Sequence, residues 1–143
     1  MRYRVFLDTN ILISGIFFEG NESRILNLPE VDLITCEDCV DELYRITRKK
    51  LKHLGNRSLE LALLELEKAV SDIEVIQRAN YRAKLSAAEN LMTHKKDIAV
   101  LAAAMTAEPD YLLTGDKHFF TSKIRKVLNV KTSVEFLSEI RNP

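Results

Sequence analysis

No apolar run in this chain approaches the ~18 residues of a membrane span, and the run leading to Asp8 is only Val5, Phe6 and Leu7, too short for a secretory leader. A cytoplasmic protein without membrane contact is expected. Neither sign of charge is in excess, since Lys plus Arg and Asp plus Glu number 21 each. No whole-molecule field announces a polyanion partner, so any nucleic-acid contact must come from local charge. Cysteine and histidine are scarce. Cys36 and Cys39 have a spacing that can mean zinc or redox chemistry, but the chain offers no second cysteine pair, and His53, His94 and His118 are scattered. A redox thiol wants a lowered pKa, which Glu37 and Asp38 between the sulfurs oppose. Two reduced thiols on a helix, with Cys39 facing the core, are the expectation. Repeats, low-complexity segments and linkers are also missing. Residues 1–143 read as a single domain, long enough to bury a core without metals or disulfides holding it together.

The elements alternate. Val5, Phe6 and Leu7 form an unbroken apolar run, the pattern of a strand buried on both faces of a parallel sheet. Val31 to Thr35, Ile73 to Ile76, Tyr111 to Thr114 and Val127 to Lys131 read as four further strands. Between them the spacing predicts helices over 11–18, a short one over 22–28 capped by Asn21, then 37–51, 58–70, 82–92 and 97–107. A last helix opens at the capping box Thr132-Ser133-Val134-Glu135 and runs to Ile140. This alternation predicts an α/β protein whose parallel sheet is covered on both faces.

Asp8 and Asp116 each follow an apolar strand, so in a parallel sheet both project from the carboxyl edge, where α/β folds bind ligands. Each alone also reads as a turn residue or cap. Asp97 opens a helix, where a carboxylate favours the macrodipole. Glu37, Asp38, Asp41 and Glu42 share one helix. At about 100° per residue the apolar arc centres near Leu43, with Asp41 opposite and Glu42 at the arc's edge. Glu42 is therefore the acid able to point along the end of the sheet.

These residues stand in the contexts Phe-Leu-Asp-Thr-Asn, Val-Asp-Glu-Leu, Lys-Lys-Asp-Ile-Ala-Val-Leu-Ala-Ala-Ala and Leu-Leu-Thr-Gly-Asp-Lys-His-Phe. In that order they resemble the PIN-domain family over nearly the whole chain, most specifically at Thr114-Gly115-Asp116 with Phe119. The resemblance implies a three-layer α/β/α fold with a five-stranded parallel sheet in order 3-2-1-4-5, which sets Asp8 beside Asp116. It implies Asp8, Glu42, Asp97 and Asp116 as catalytic ligands for magnesium or manganese, with Thr9, Asn10 and Thr114 as polar supports. The activity implied is metal-dependent hydrolysis of RNA phosphodiester bonds. Many small stand-alone members are toxins of toxin-antitoxin pairs, the VapC-like kind, so an antitoxin partner and a homodimer are further implications of the family. The chemistry agrees: converging carboxylates require protons or cations to offset their charge, and all-oxygen ligation selects hard cations.

Local charge offers a path for single-stranded or structured RNA. Six lysines and arginines and no acid lie between Arg45 and Arg57, among them Lys49, Lys50 and Lys52, while Lys95, Lys96, Lys117 and His118 flank two of the acids. Such groups hold phosphates and make binding salt-sensitive, although charges near a helix end also suit its dipole. Phe119 and Phe120 read either as core or as stacking surfaces for bases. Two other classes compete with a ribonuclease. One is a PIN-fold nucleic-acid-binding module with little or no nuclease activity. The other is a phosphotransferase of the haloacid-dehalogenase type, which also begins with a strand ending in aspartate but wants a second aspartate where Asn10 stands.

Overall fold

The apolar runs pair as one sheet in the computed structural model, which describes residues 2–141. Its strands are β1 (Tyr3–Leu7), β2 (Val31–Cys36), β3 (Glu74–Ile76), β4 (Tyr111–Leu113) and β5 (Val130–Lys131), in the order β3-β2-β1-β4-β5. Every pairing is parallel, with Val5 opposite Leu33 on one side and Tyr111 on the other. The helices are α1 (Thr9–Phe17), α2 (Asn21–Leu26), α3 (Glu37–Lys49), α4 (Leu59–Ser71), α5 (Arg78–Tyr81), α6 (Leu85–Glu89), α7 (Lys95–Ala107), α8 (Ser122–Arg125) and α9 (Ser133–Arg141). Tight 3-10 turns occupy residues 51–53, 82–84 and 117–119. The α/β/α architecture and strand order are those expected.

Two cores lie on the two faces of the sheet, because successive strand side chains alternate in direction. Phe6, Ile34, Leu112 and Val130 face α7, together with Tyr81, Ala88, Phe119 and Ile124. Val5, Leu7 and Leu113 face the other way, toward Leu12, Ile25, Leu66 and Phe136. In α7 the run Leu101 to Ala104 is fully buried, and its alanines let the helix lie close against the sheet. On the opposite side Gly15 gives α1 its close approach to α2, since a Cβ there would stand 2.6 Å from Leu26 Cδ1. α3 belongs to neither layer alone. Its Cys39 packs in the first core and its Leu43 in the second, so the helix crosses the carboxyl end of the sheet.

Several boundaries differ from the sequence reading. β5 begins only at Val130, because the Ile124 carbonyl accepts the Val127 and Leu128 N–H groups and holds them in a turn after α8. The helix expected over 82–92 starts at Arg78 and is broken into α5, a 3-10 turn and α6, with Arg78 and Tyr81 drawn onto α3. Gly20, not Asn21, caps α2, with its N–H donating to Ser23 Oγ. Cys36 closes β2 and does not lie in a helix, while Cys39 faces the core as expected; both thiols are free and buried. The Thr132–Glu135 capping box forms as predicted, with reciprocal bonds of 2.9 and 3.2 Å.

Candidate metal centre

Asp8 is placed by the corner between β1 and α1. Its carbonyl accepts the first N–H groups of α1, from Ile11 and Leu12, and its Oδ1 accepts the Thr9 N–H at 2.8 Å. Its Oδ2 accepts the Thr114 hydroxyl at 2.7 Å, and the Thr114 oxygen in turn accepts the Asp116 N–H at 3.0 Å. Thr114 thus ties together the ends of neighbouring strands β1 and β4. Thr35, at the end of β2, adds a hydroxyl bond to the Leu7 carbonyl. Asp8 is only 9% exposed. Burial pushes its carboxyl up to about 6; the bonds from Thr114 and Thr9 act against that rise, and the charges of Asp97 and Glu42 reinforce it.

Asp116 follows β4 and caps the 117–119 turn, with Oδ1 accepting the His118 N–H at 3.0 Å. Asp97 sits in the first turn of α7, which begins at Lys95, two residues before the expected start. Burial raises its carboxyl pKa and the nearby Asp116 charge adds to the rise, while His118 and His94 oppose it. The charges of Asp97 and Glu42 thus bear on Asp8, and that of Asp116 on Asp97, in each case as a smaller contribution than burial.

Glu42 is distinguished by what its neighbours do. Arg78 pairs with Glu37 and Asp38, each at 3.0 Å, and with Asp41. Asp38 also accepts the Tyr81 hydroxyl. Among the described residues Glu42 alone of the α3 acids has no ion pair or side-chain hydrogen bond, and it is half-buried while Asp41 is exposed. The helical phase anticipated that contrast. Arg78 was not anticipated; its position two residues beyond β3 puts it at the same sheet edge as the start of α3, a cue that depends on knowing that β3 adjoins β2.

Of the polar supports, Thr9 and Thr114 are buried. Asn10 is exposed, and its Nδ2 stands 3.7 Å from where a Gly115 side chain would begin. Lys95 and Lys96 line a groove of about 500 Å³ with Glu42, Arg45 and Arg78. Lys49 lies at the far end of α3, while Lys50 and Lys52 follow it, all three exposed. Not all of the basic run faces solvent: Arg57 is tied to Glu65 at 3.0 Å and to the Leu54 carbonyl. Lys117 is exposed, whereas the His118 ring turns inward, with Nδ1 2.9 Å from Asp116 Oδ1 and 3.5 Å from Asp97 Oδ2. Phe119 is fully buried core and Phe120 half-buried, with the Arg125 guanidinium 5.0 Å from its ring centre.

A five-stranded, all-parallel α/β/α protein with Asp8 and Asp116 following the neighbouring strands β1 and β4 at the switch point is the class this fold and site define. A family model of the PIN domain matches residues 6–135, and the chain belongs to the PIN-domain family. The fold is similar to that of a chain in the crystal structure of VapBC2 from Rickettsia felis bound to a DNA fragment from their promoter. The TM-score is 0.62 at 18% identity, over 90% of this chain and 98% of that one. No curated protein sequence matches the chain. Among the described residues no helix is long and apolar enough to cross a membrane.

Proposed function

We propose that this chain is a metal-dependent ribonuclease that hydrolyses RNA phosphodiester bonds at the cleft formed by Asp8, Glu42, Asp97 and Asp116. The observation that carries the reading is the gathering of Asp97, Asp116 and His118, whose ligand atoms lie within 4.8 Å of one another, beside a buried Asp8 that Thr114 ties to the Asp116 backbone. Acids in such proximity are stabilised by an offsetting proton or cation, and an oxygen-rich donor set suits magnesium or manganese. Asp8, Glu42, Asp97 and Asp116 would hold the ion, which when bound supplies an acidified water and charge stabilisation at a phosphoryl oxygen. Thr114 and Thr9 orient the Asp8 carboxylate, and Arg78 pairs with the other three α3 acids, which leaves the Glu42 carboxylate available to a cation. Lys95, Lys96 and Arg45 lie beside Glu42 in the groove and suit a phosphate backbone, and Lys117 is exposed next to Asp116 in the chain.

A toxin role paired with an antitoxin protein is the wider reading, supported by membership of the PIN-domain family and by a fold shared with a chain of a VapBC2 structure. Leu61 and Leu64 of α4 are 47% and 62% exposed, apolar surface of the kind a protein partner covers.

The test is single-turnover cleavage of a panel of labelled RNAs by pure protein with magnesium and with manganese. Glu42→Gln is expected to lower the rate at least tenfold, whereas Asp41→Asn, which removes only an exposed partner of Arg78, leaves it within twofold. Equal losses would mean that Glu42 is not the acid in the cleft. In the same assay, replacing Lys49, Lys50 and Lys52 together with alanine should weaken RNA binding and flatten its dependence on salt. An unaltered salt slope would remove these lysines from the RNA path. RNA binding without cleavage across the panel in both metals would favour a binding module over an enzyme.

A further inference from the structure

The His118 ring is held from several sides. Its backbone N–H donates to Asp116 Oδ1, the next residue Phe119 is locked in the core, and the ring stacks on His94 with centres 3.5 Å apart and planes 19° from parallel. His94 caps α7, and its carbonyl accepts the Asp97 N–H at 2.9 Å. One turn and one helix start thus deliver an imidazole and two carboxylates to the same place. Ligand atoms of Asp97, Asp116 and His118 lie within 4.8 Å of one another.

We propose that His118 Nδ1 is a ligand of the divalent cation, making this a mixed nitrogen and oxygen centre that favours manganese over magnesium. The inference rests on reading the acidic cleft as a cation site. An octahedral ion with bonds of about 2.1 Å places neighbouring donors about 3.0 Å apart and opposite donors about 4.2 Å apart. The Nδ1 distances of 2.9 Å to Asp116 and 3.5 Å to Asp97 match neighbouring positions around one ion. A ring serving only as a phosphate contact would have to leave both acids to reach outward, as Lys117 already does. Magnesium prefers oxygen and water, whereas first-row transition ions accept imidazole readily and bind it more tightly. The stack on His94 fixes the ring plane, so the nitrogen is presented without reorganisation when the ion arrives.

The competing role for His118 is an ion pair with the two acids and no contact with the metal. Manganese electron spin echo spectroscopy separates the two roles, because a bound imidazole imprints nitrogen modulation on the manganese signal. The wild type loaded with manganese should show that modulation, and His118→Gln should not. Calorimetric titration of both proteins with manganese and with magnesium, without RNA, gives the second readout. Many all-oxygen sites also prefer manganese, so the decisive quantity is the change in the affinity ratio. His118→Gln is expected to lose at least tenfold for manganese and less than threefold for magnesium. Manganese bound to wild type without nitrogen modulation would overturn the proposal even if the variant failed to fold. Equal losses for the two metals would also overturn it. Failure of wild type to bind either metal would remove the cation site itself, a different result from binding without nitrogen.

Discussion

Asp8→Asn is expected to raise the melting temperature of the metal-free protein at pH 7.5 by roughly 5 °C and to abolish its rise with added manganese. The carboxyl of Asp8 is raised from 3.8 to about 6 in the folded protein. Above pH 6 it is ionised in both states and the cost of burying that charge opposes folding in full. As pH falls through 6 the folded state takes up a proton that the unfolded chain does not bind until near 4, so this group's opposition disappears between those limits. A shift of that size corresponds to on the order of 3 kcal/mol. Asparagine retains an acceptor for the Thr9 N–H but not for the Thr114 hydroxyl, which returns about 1 kcal/mol of the gain. The net of about 2 kcal/mol sets the expected rise for a domain of this size. Metal stabilises only the folded state that binds it, and a variant without the Asp8 charge should show no such response. The check is thermal unfolding of both proteins from pH 4.5 to 8, with and without manganese. A variant less stable than wild type at pH 7.5, or a gap that widens as pH falls, would contradict the burial of a charged Asp8.

What could be read in the sequence was what depends on local pattern and topology. Val5 to Leu7 and Tyr111 to Leu113 are apolar through both faces, and acids follow each run, so the pairing of β1 with β4 placed Asp8 and Asp116 at one edge. Helical phase separated Glu42 from Asp41 because α3 is regular and its apolar arc is narrow. The remaining features depend on contacts between residues distant in sequence. Arg78 clamps three acids across about 40 positions, through a β2–β3 adjacency that no local pattern encodes. His118 looked like a flanking cation beside Lys117, yet the 3-10 turn anchored by Phe119 rotates its ring inward onto Asp97 and Asp116. Arg57 belonged to a basic run by composition, but its guanidinium is spent on Glu65 and the Leu54 carbonyl. Long flexible side chains choose partners that only the assembled fold supplies.

Asp116→Asn is expected to lower RNA cleavage about a thousandfold while leaving the fold and RNA binding in place. Asparagine is a good cap, so its side-chain oxygen can still accept the His118 N–H and the 117–119 turn should persist. The N–H of residue 116 still reaches the Thr114 hydroxyl, which keeps β4 tied to Asp8. What is lost is a charge that bears on Asp97 and lies 2.9 Å from His118 Nδ1. If the cleft holds a cation, removing this ligand misplaces or releases it, and the several kcal/mol of transition-state stabilisation a metal supplies correspond to about 10³ in rate. RNA held through Lys95, Lys96, Lys117 and Arg45 should bind as well as before, or more tightly, because a negative charge next to Lys117 in the chain has been removed. Single-turnover cleavage with manganese, measured beside RNA affinity at two salt concentrations, separates these effects. Cleavage by the variant at the wild-type rate would trace the activity to a contaminating nuclease and defeat the enzyme reading. Equal loss of binding and cleavage would instead mean that Asp116 organises the RNA surface through its turn and not through a metal.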